Sequence, residues 1–297
     1  MAALTLLSVN YMSKGQDLIA AAFFVASIGF KQMALYYAPA IGSYLLAKCI
    51  YLGQRNGYVL PSLLSVHWSS YNTKQRHRGR LFLQLGAVTV ASFALLFLPF
   101  LPPLAAPTAI LDPITRIFPF SRGLFEDKVA NFWCFSNVVF KWRNVASPGV
   151  LMKLSTVLTA AGFVPAVVGL LRTGFSLRIV DDPAALTASG VSMEKEVPDV
   201  AVMTPHTEQE PRVVRADGGN GQENEAPTTG PGPLFPLLLL SMLTSSISFF
   251  LFSFQVHEKT ILVPLLPLTL IMVGAPASAE STTWELGMLT NNVAVFR

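Results

Sequence analysis

Long apolar stretches without charge constrain this chain more than any other feature. Residues 81–101, "LFLQLGAVTVASFALLFLPFL", contain no charged side chain. A bilayer core of about 30 Å is crossed by about 20 apolar residues in a helix, which satisfies its own backbone hydrogen bonds. Only 13% of the residues are charged, whereas soluble domains carry about 25%. We therefore predict an all-α, polytopic transmembrane helix bundle.

Other apolar stretches extend this bundle. Near the start, residues 18–30 and 33–52 flank the polar pair Lys31 and Gln32, which predicts a broken or re-entrant pair of helices. Three further stretches are predicted to span the membrane: 150–171, 233–256 and 260–279.

The basic segment 72–80, "NTKQRHRGR", orients the bundle, because loops rich in Lys and Arg stay on the cytoplasmic side. The 81–101 helix then carries residues 102–128 to the opposite side as a loop. If 129–140 dips into the membrane without crossing it, the next helix returns to the cytoplasm. The helix after that one brings His257 to the non-cytoplasmic face. A short crossing at 129–140 would invert everything that follows it.

A polar segment interrupts the bundle. Residues 181–232 hold ten of the 17 acidic residues and are rich in Pro, Gly, Thr and Asn. Such a segment cannot bury enough apolar surface to offset the entropy of ordering it. We predict a disordered acidic insertion over 178–232, cytoplasmic in this topology, between a bundle over 1–177 and a membrane hairpin over 233–297. A tolerated loop insertion is favoured over a regulatory tail.

The remaining composition excludes several function classes. Outside the insertion, 18 Lys and Arg face seven acids, but they are dispersed among apolar spans. This pattern suits anionic lipid headgroups and does not suit nucleic acid. The sequence has no GxGxxG, Walker, GxSxG or HExxH motif. The four histidines lack metal-ligand spacing, and Cys49 and Cys134 are predicted to be small buried thiols, so we expect no metal and no cofactor.

Charged residues at the edges of apolar spans are functional candidates, because charge is costly at bilayer depth. The segment 121–134, "SRGLFEDKVANFWC", places four charges before two aromatic rings. It is either an interfacial belt or a recess in which cations grip a phosphate and carboxylates bind sugar hydroxyls. The four charged residues are Arg122, Glu126, Asp127 and Lys128.

Two shorter segments raise the same question. In "QVHEKT", residues 255–260, the charged residues either cap a helix hairpin or neutralise a departing phosphate, which needs fixed hydrogen-bond donors. In "FKQMALYY", residues 30–37, Lys31 is either an anchor at a helix break or a substrate contact.

Three stretches together resemble the endoplasmic-reticulum glucosyltransferases of the asparagine-linked glycan pathway. They are "FKQMALYYAP" (30–39), "FPFSRGLFEDKVANFWC" (118–134) and "FSFQVHEKTILVPLLPLTL" (252–270). The resemblance covers most of the membrane part and fails across 178–232. "VHEK" is common to the enzymes that add the first and the second glucose, whereas "KQMALYY" and "LFEDKVANFW" favour the first-glucose enzyme.

The resemblance implies a GT-C glycosyltransferase fold with a lumenal active site, so that 102–128 would be a lumenal loop. The donor would be dolichyl-phosphate glucose and the acceptor the mannose-rich lipid-linked oligosaccharide, in an endoplasmic-reticulum membrane. The α-1,3 linkage would form with inversion, a carboxylate acting as general base on the acceptor hydroxyl. No metal or nucleic acid takes part.

The resemblance also implies roles for particular residues. His257 and Lys259 would hold the donor phosphate, with Arg122 and Lys128 as second choices. The carboxylates would orient these cations or contact sugar, and the polar pair at the helix break would contact substrate. The carboxylates are Glu126, Asp127 and Glu258, and the polar pair is Lys31 and Gln32.

Family members carry their general base in a segment ahead of the first matching block. We therefore expect the base to precede Met1, and the chain to be a fragment that ends within a helix at "NNVAVFR". The missing base keeps a rival interpretation open, a transporter or lipid-binding membrane protein without catalysis. A structural subunit of a larger complex is a third.

Overall fold

The computed structural model describes residues 1–52, 73–100, 102–106, 131–181, 232, 234–254, 256–274 and 282–295. All regular structure within these ranges is helical, which confirms the all-α prediction. Two 3₁₀ segments, Gln32–Tyr37 and Glu258–Ile261, stand at breaks between α-helices. The α-helices of the described residues are α1 (Ala2–Ser13), α2 (Asp17–Phe30), α3 (Ala38–Ala47), α4 (Thr73–Phe97), α5 (Phe132–Phe140), α6 (Trp142–Val145), α7 (Pro148–Asp181), α8 (Phe235–Phe252), α9 (Leu262–Gly274) and α10 (Thr282–Val295).

Among the described residues, three helices are long and apolar enough to cross a membrane, judged by length and composition. They are Gly79–Phe100, Pro148–Leu177 and Phe235–Phe252, close to the predicted spans at 81–101, 150–171 and 233–256. Large apolar side chains on α4 and α7 point outward, among them Leu83 and Val157. Soluble monomers rarely expose apolar surface on this scale, so these faces fit contact with lipid.

The described part of the predicted span over 260–279 is one apolar helical stretch, Lys259–Val273, and residues 275–279 lie outside the described residues. A 3₁₀ segment ends at Ile261, and α9 then runs for 13 residues from Leu262 to Gly274. Thirteen residues rise only about 20 Å, less than the core thickness of about 30 Å. The α-helix begins at Leu262, so that Pro264 falls in its first turn, where a missing N–H costs nothing.

The predicted break at Lys31 is confirmed, and it creates a helical hairpin. Lys31 has an extended backbone between α2 and the Gln32–Tyr37 segment, and Pro39 starts α3 in the first turn, where its missing N–H costs nothing. Asp17, the first residue of α2, forms an ion pair with Lys48, the residue after α3, at 2.6 Å. The two helices are therefore antiparallel.

We call one end of the bundle the basic end. It contains the Asp17–Lys48 pair and the start of α4, because Leu81 is buried against Ala21 and Cys49. Cys49 is a buried free thiol, as predicted, whereas Cys134 is only half-buried. Residues 73–80 of the basic segment, which the sequence predicted to be a loop, form the first turns of α4 at this end.

We call the other end the motif end, and it contains residues 30–37, 131–142 and 252–261. At this end the last turns of α4 reach Gly29, where an added Cβ would overlap Leu96. The start of α7 also lies there, since Leu151 packs against Trp133. Near its other end α7 approaches the start of α8 at Leu234. Hence α4 runs toward the motif end, α7 away from it, and α8 back to it.

Helices α5 and α6 stay at the motif end. The nine residues of α5 rise about 14 Å, too little to cross a bilayer core of about 30 Å. Lys141 then turns the chain in a left-handed conformation, and Trp142 packs against Trp133 with ring centroids 5.8 Å apart. Within the described residues of the 129–140 stretch, no helix is therefore long enough to cross the membrane by itself. The dip without crossing, and with it the side on which His257 lies, stays a prediction.

Helices α7 and α8 pack closely through small residues. The Ser248 hydroxyl donates to the carbonyl of Thr159 at 2.7 Å. A Cβ added at Gly162 would overlap that hydroxyl and lie 2.9 Å from the Ser248 Cβ. Small residues at helix interfaces allow such close approach in membranes, where packing and interhelical hydrogen bonds hold helices together.

Gly162→Ala is therefore expected to force α7 and α8 apart. Overpacking of this kind costs about 1–3 kcal/mol, so we expect a lower midpoint of thermal unfolding in detergent. Gly169→Ala on the same helix is the matched control, because nothing lies within 4 Å of a Cβ there. Equal midpoints for the two variants would contradict the close crossing.

Candidate functional site

The last two turns of α8 hold the first motif stretch in place. The Ser245 hydroxyl donates to the carbonyl of Tyr36 at 2.6 Å. The Tyr36 ring stacks on Phe249 with centroids 4.8 Å apart. Lys31 and Gln32 precede this anchored segment and are both exposed. The 30–37 stretch is thus fixed against the helix that leads into the third motif stretch.

Trp133, from the second motif stretch, packs against the end of the same helix. Its side chain is 0% exposed, and its indole Nε1 donates to the carbonyl of Phe252 at 2.9 Å. Phe252 is the last residue of α8, where carbonyls have no helical donor. Trp133 therefore satisfies one of these carbonyls while Leu151 and Phe254 pack around its ring.

The third motif stretch turns at His257. This residue caps the Glu258–Ile261 segment, and its Nδ1 accepts from the backbone N–H of Lys259 at 3.2 Å. Because Nδ1 is an acceptor there, the proton of the neutral ring is assigned to Nε2. The side chains of His257 and Lys259 are exposed, whereas Thr260 is fully buried beside them. The segment thus presents two hydrogen-bond donors at the surface, next to a buried residue.

A hydrogen bond joins the first and third stretches. The Tyr37 hydroxyl donates to the carbonyl of Val263 in the first turn of α9. Within the described residues, Tyr37 thus connects the two stretches from the buried side. The cations Lys31 and Lys259 lie at the exposed surface of the same end. An anionic headgroup at this surface could be gripped by Lys, neutral His and backbone donors.

The predicted site residues fall into two groups. Lys31, Gln32, His257 and Lys259 all lie at the motif end, and Glu258 is placed there by its backbone. The second group lies outside the described residues, and its roles stay predictions. It comprises Arg122, Glu126, Asp127 and Lys128.

Sequence reasoning missed the ion pair at the basic end. The Asp17 side chain is 1% exposed and that of Lys48 13% exposed. The Lys48 ammonium also lies 5.3 Å from the centroid of the Tyr44 ring, within range of a cation–π interaction. A signal existed, since each of the two predicted hairpin helices carries one charge at the end far from the Lys31 break.

Comparison with known proteins identifies a matching family and several related proteins. The family described as "ALG6, ALG8 glycosyltransferase family" matches residues 1–296. A Saccharomyces cerevisiae protein named dolichyl pyrophosphate Man9GlcNAc2 alpha-1,3-glucosyltransferase is 32% identical over 100% of this chain and 39% of its own length. The Gallus gallus protein of the same name is 30% identical over 93% of the chain and 38% of its own length.

A Dictyostelium discoideum protein bears that name with the qualifier "probable". It is 29% identical over 92% of this chain and 38% of its own length. The chain thus spans about two fifths of the length of the curated relatives it matches.

Proposed function

The chain belongs to the ALG6, ALG8 glycosyltransferase family, and from this premise we propose that it transfers glucose from dolichyl-phosphate glucose to the mannose-rich lipid-linked oligosaccharide. The family resemblance found in the sequence is confirmed by that match. The observation that carries the proposal is that the described parts of the three motif stretches meet at the end of α8. Tyr36 and Trp133 bring two of them onto this helix, and the third follows it directly.

We place the motif end in the lumen of the endoplasmic reticulum and the basic end in the cytoplasm. The support is the basic segment 72–80, which the positive-inside rule keeps cytoplasmic. Helix α4 leads from this segment toward the motif end, and α8 returns the chain there. A dolichol-linked donor and acceptor would then meet at the lumenal edge of the membrane, with membrane lipids around the apolar helix faces.

In the proposed reaction the acceptor hydroxyl oxygen bonds to the glucose anomeric carbon as the bond from that carbon to the phosphate oxygen breaks. The leaving dolichyl phosphate takes the electron pair, and the hydroxyl proton passes to a carboxylate base. Inversion follows from attack opposite the leaving group. We assign the phosphate to His257 Nε2–H and the Lys259 ammonium, because fixed donors lower the energy of developing negative charge.

The remaining predicted residues surround these two donors in the proposal. Arg122 and Lys128 are further phosphate ligands, and Lys31 and Gln32 contact substrate from the neighbouring segment. Glu126, Asp127 and Glu258 orient the cations or bind sugar hydroxyls.

We further propose that the glucose added is the first one. The "KQMALYY" and "LFEDKVANFW" stretches support this choice, and so do the names of the relatives, which specify a Man9GlcNAc2 acceptor. The test offers dolichyl-phosphate glucose with either the nine-mannose glycolipid or its monoglucosylated form. Preference for the second acceptor would assign the chain to the second-glucose reaction.

His257→Ala is expected to reduce glucose transfer with little effect on protein abundance, because the side chain is exposed. Loss of one fixed donor to a developing oxyanion costs roughly 100-fold in rate. Transfer of radiolabelled glucose, normalised to protein level, measures the effect, and Lys259→Ala is expected to behave alike. Lys14→Ala, an exposed cation at the basic end, is the control. Unchanged transfer in His257→Ala would remove its phosphate role.

A further inference from the structure

A proline inside α9 leaves one backbone carbonyl of the helix without its usual hydrogen-bond donor. Pro267 has no backbone N–H, so the carbonyl four residues earlier, that of Val263, loses its helical donor. The Tyr37 hydroxyl donates to this carbonyl. Tyr37 is 0% exposed and Val263 3% exposed, so water does not readily replace the bond. A tyrosine that lies 226 positions away in the sequence thus supplies the missing bond.

The same short segment is also fixed to α8. Tyr36 accepts from Ser245 and stacks on Phe249. Consecutive tyrosines therefore attach the Gln32–Tyr37 segment to two helices, α8 through Tyr36 and α9 through Tyr37. His257 and Lys259 lie in the short segment between these two helices.

We propose that Tyr37 is a positioning residue, whose hydroxyl ties the start of α9 to the Gln32–Tyr37 segment. This tether fixes the position of Lys259 relative to Lys31. Lys259 lies four residues before Val263, and Lys31 lies directly before the tethered 3₁₀ segment. In the proposed reaction Lys259 binds the donor phosphate and Lys31 contacts substrate, so their relative position matters. The catalytic consequence of this inference rests on the proposed function.

Tyr37→Phe removes only the hydroxyl and leaves the Val263 carbonyl buried without its donor. We expect the midpoint of thermal unfolding to fall by a few degrees, since an unpaired buried carbonyl is destabilising. We also expect kcat/KM for glucose transfer to fall about tenfold, because small misplacements of donors are costly in catalysis. Both are measured in membranes where the variant replaces the natural protein.

The double variant Tyr37→Phe/Pro267→Ala separates positioning from stability. Alanine at position 267 supplies the N–H that Val263 lacks, so the helix satisfies its own carbonyl and the unfolding midpoint recovers. The tether between the two segments stays absent, so we expect kcat/KM to stay low. Pro267→Ala alone is the control, since one carbonyl can accept from both the helix and Tyr37. Recovery of transfer together with stability would reduce Tyr37 to a structural role and overturn the proposal.

Hydrogen exchange tests the tether without any glucose assay. The Thr260 N–H donates to the carbonyl of His257 at 2.9 Å, and this amide should exchange faster in both Tyr37→Phe and the double variant. Unchanged exchange in an active protein would overturn the tether alone. Faster exchange in a protein that never forms glucosylated glycolipid would support the tether while the proposed function fails.

Discussion

Trp133→Ala is expected to deplete the folded protein from the membrane more than any other single change considered. The ring is fully buried among Trp142, the start of α7 and Phe254. Removing a buried aromatic side chain costs about 3–5 kcal/mol. The Phe252 carbonyl at the end of α8 also loses its hydrogen-bond donor, the Trp133 indole N–H. Native proteins are stable by only about 5–15 kcal/mol, so this loss is a large share of the total.

The measurements are protein abundance in membranes and the midpoint of thermal unfolding in detergent. Phe135→Ala is the matched control, because this ring sits on the same short helix but is 78% exposed. Trp133→Phe keeps most of the packing and removes the indole donor, and we expect an intermediate midpoint. If Trp133→Ala unfolds at the same temperature as Phe135→Ala, the second motif stretch does not depend on the end of α8.

Lys48→Met is expected to have the second largest effect, at the opposite end of the bundle. It leaves the Asp17 carboxyl buried without the ammonium that now lies 2.6 Å away. Removing one partner of a buried ion pair costs about 3–5 kcal/mol. Thermal unfolding reports the loss, and we expect Asp17→Asn to be destabilising as well.

The pair hypothesis makes a sharper demand on the double variant Asp17→Leu/Lys48→Met. Replacing both charges by apolar groups is often neutral, so the double variant should unfold closer to the natural protein than either single one. Lys14→Met is the control for loss of an exposed lysine near the same end. Additive effects of the two single changes would mean that the two charges act independently.

Local sequence predicted the parts of the fold that depend on local chemistry. The uncharged run at 81–101 and the apolar run at 233–256 coincide with α4 and α8 because hydropathy over about 20 residues decides whether a helix suits lipid. Lys31 likewise marked a true break. The span predicted at 260–279 stays a prediction, because residues 275–279 lie outside the described part of the chain.

Pairing between distant residues could not be read from the sequence. Asp17 and Lys48 are separated by 31 positions, and Tyr37 and Val263 by 226. No local pattern states which polar group in one helix meets which in another. The motifs themselves were found because they resemble a family, whereas the sequence did not indicate that Trp133 closes the end of α8. The role of the 122–128 charges stays a prediction.

Two features therefore meet at the motif end: exposed hydrogen-bond donors, and the buried side chains that hold their segments in place. Exposed donors from the first and third stretches lie there, on segments fixed by buried Tyr36, Tyr37 and Trp133. Exposed hydrogen-bond donors on segments that buried side chains hold in place suit an anionic lipid headgroup. The family is one of glycosyltransferases. At the other end the buried Asp17–Lys48 pair closes the helical hairpin.

The most direct test of this account measures glucose transfer by the natural protein. Membranes in which it is the sole glucosyltransferase for the acceptor receive dolichyl-phosphate glucose labelled in the sugar, together with the nine-mannose glycolipid. We expect labelled glucose in the glycolipid, in α-1,3 linkage, and nearly complete loss of this product in the His257→Ala/Lys259→Ala variant at equal protein level. Binding of the labelled donor without any labelled glycolipid would contradict the account and favour a lipid-binding or transport function.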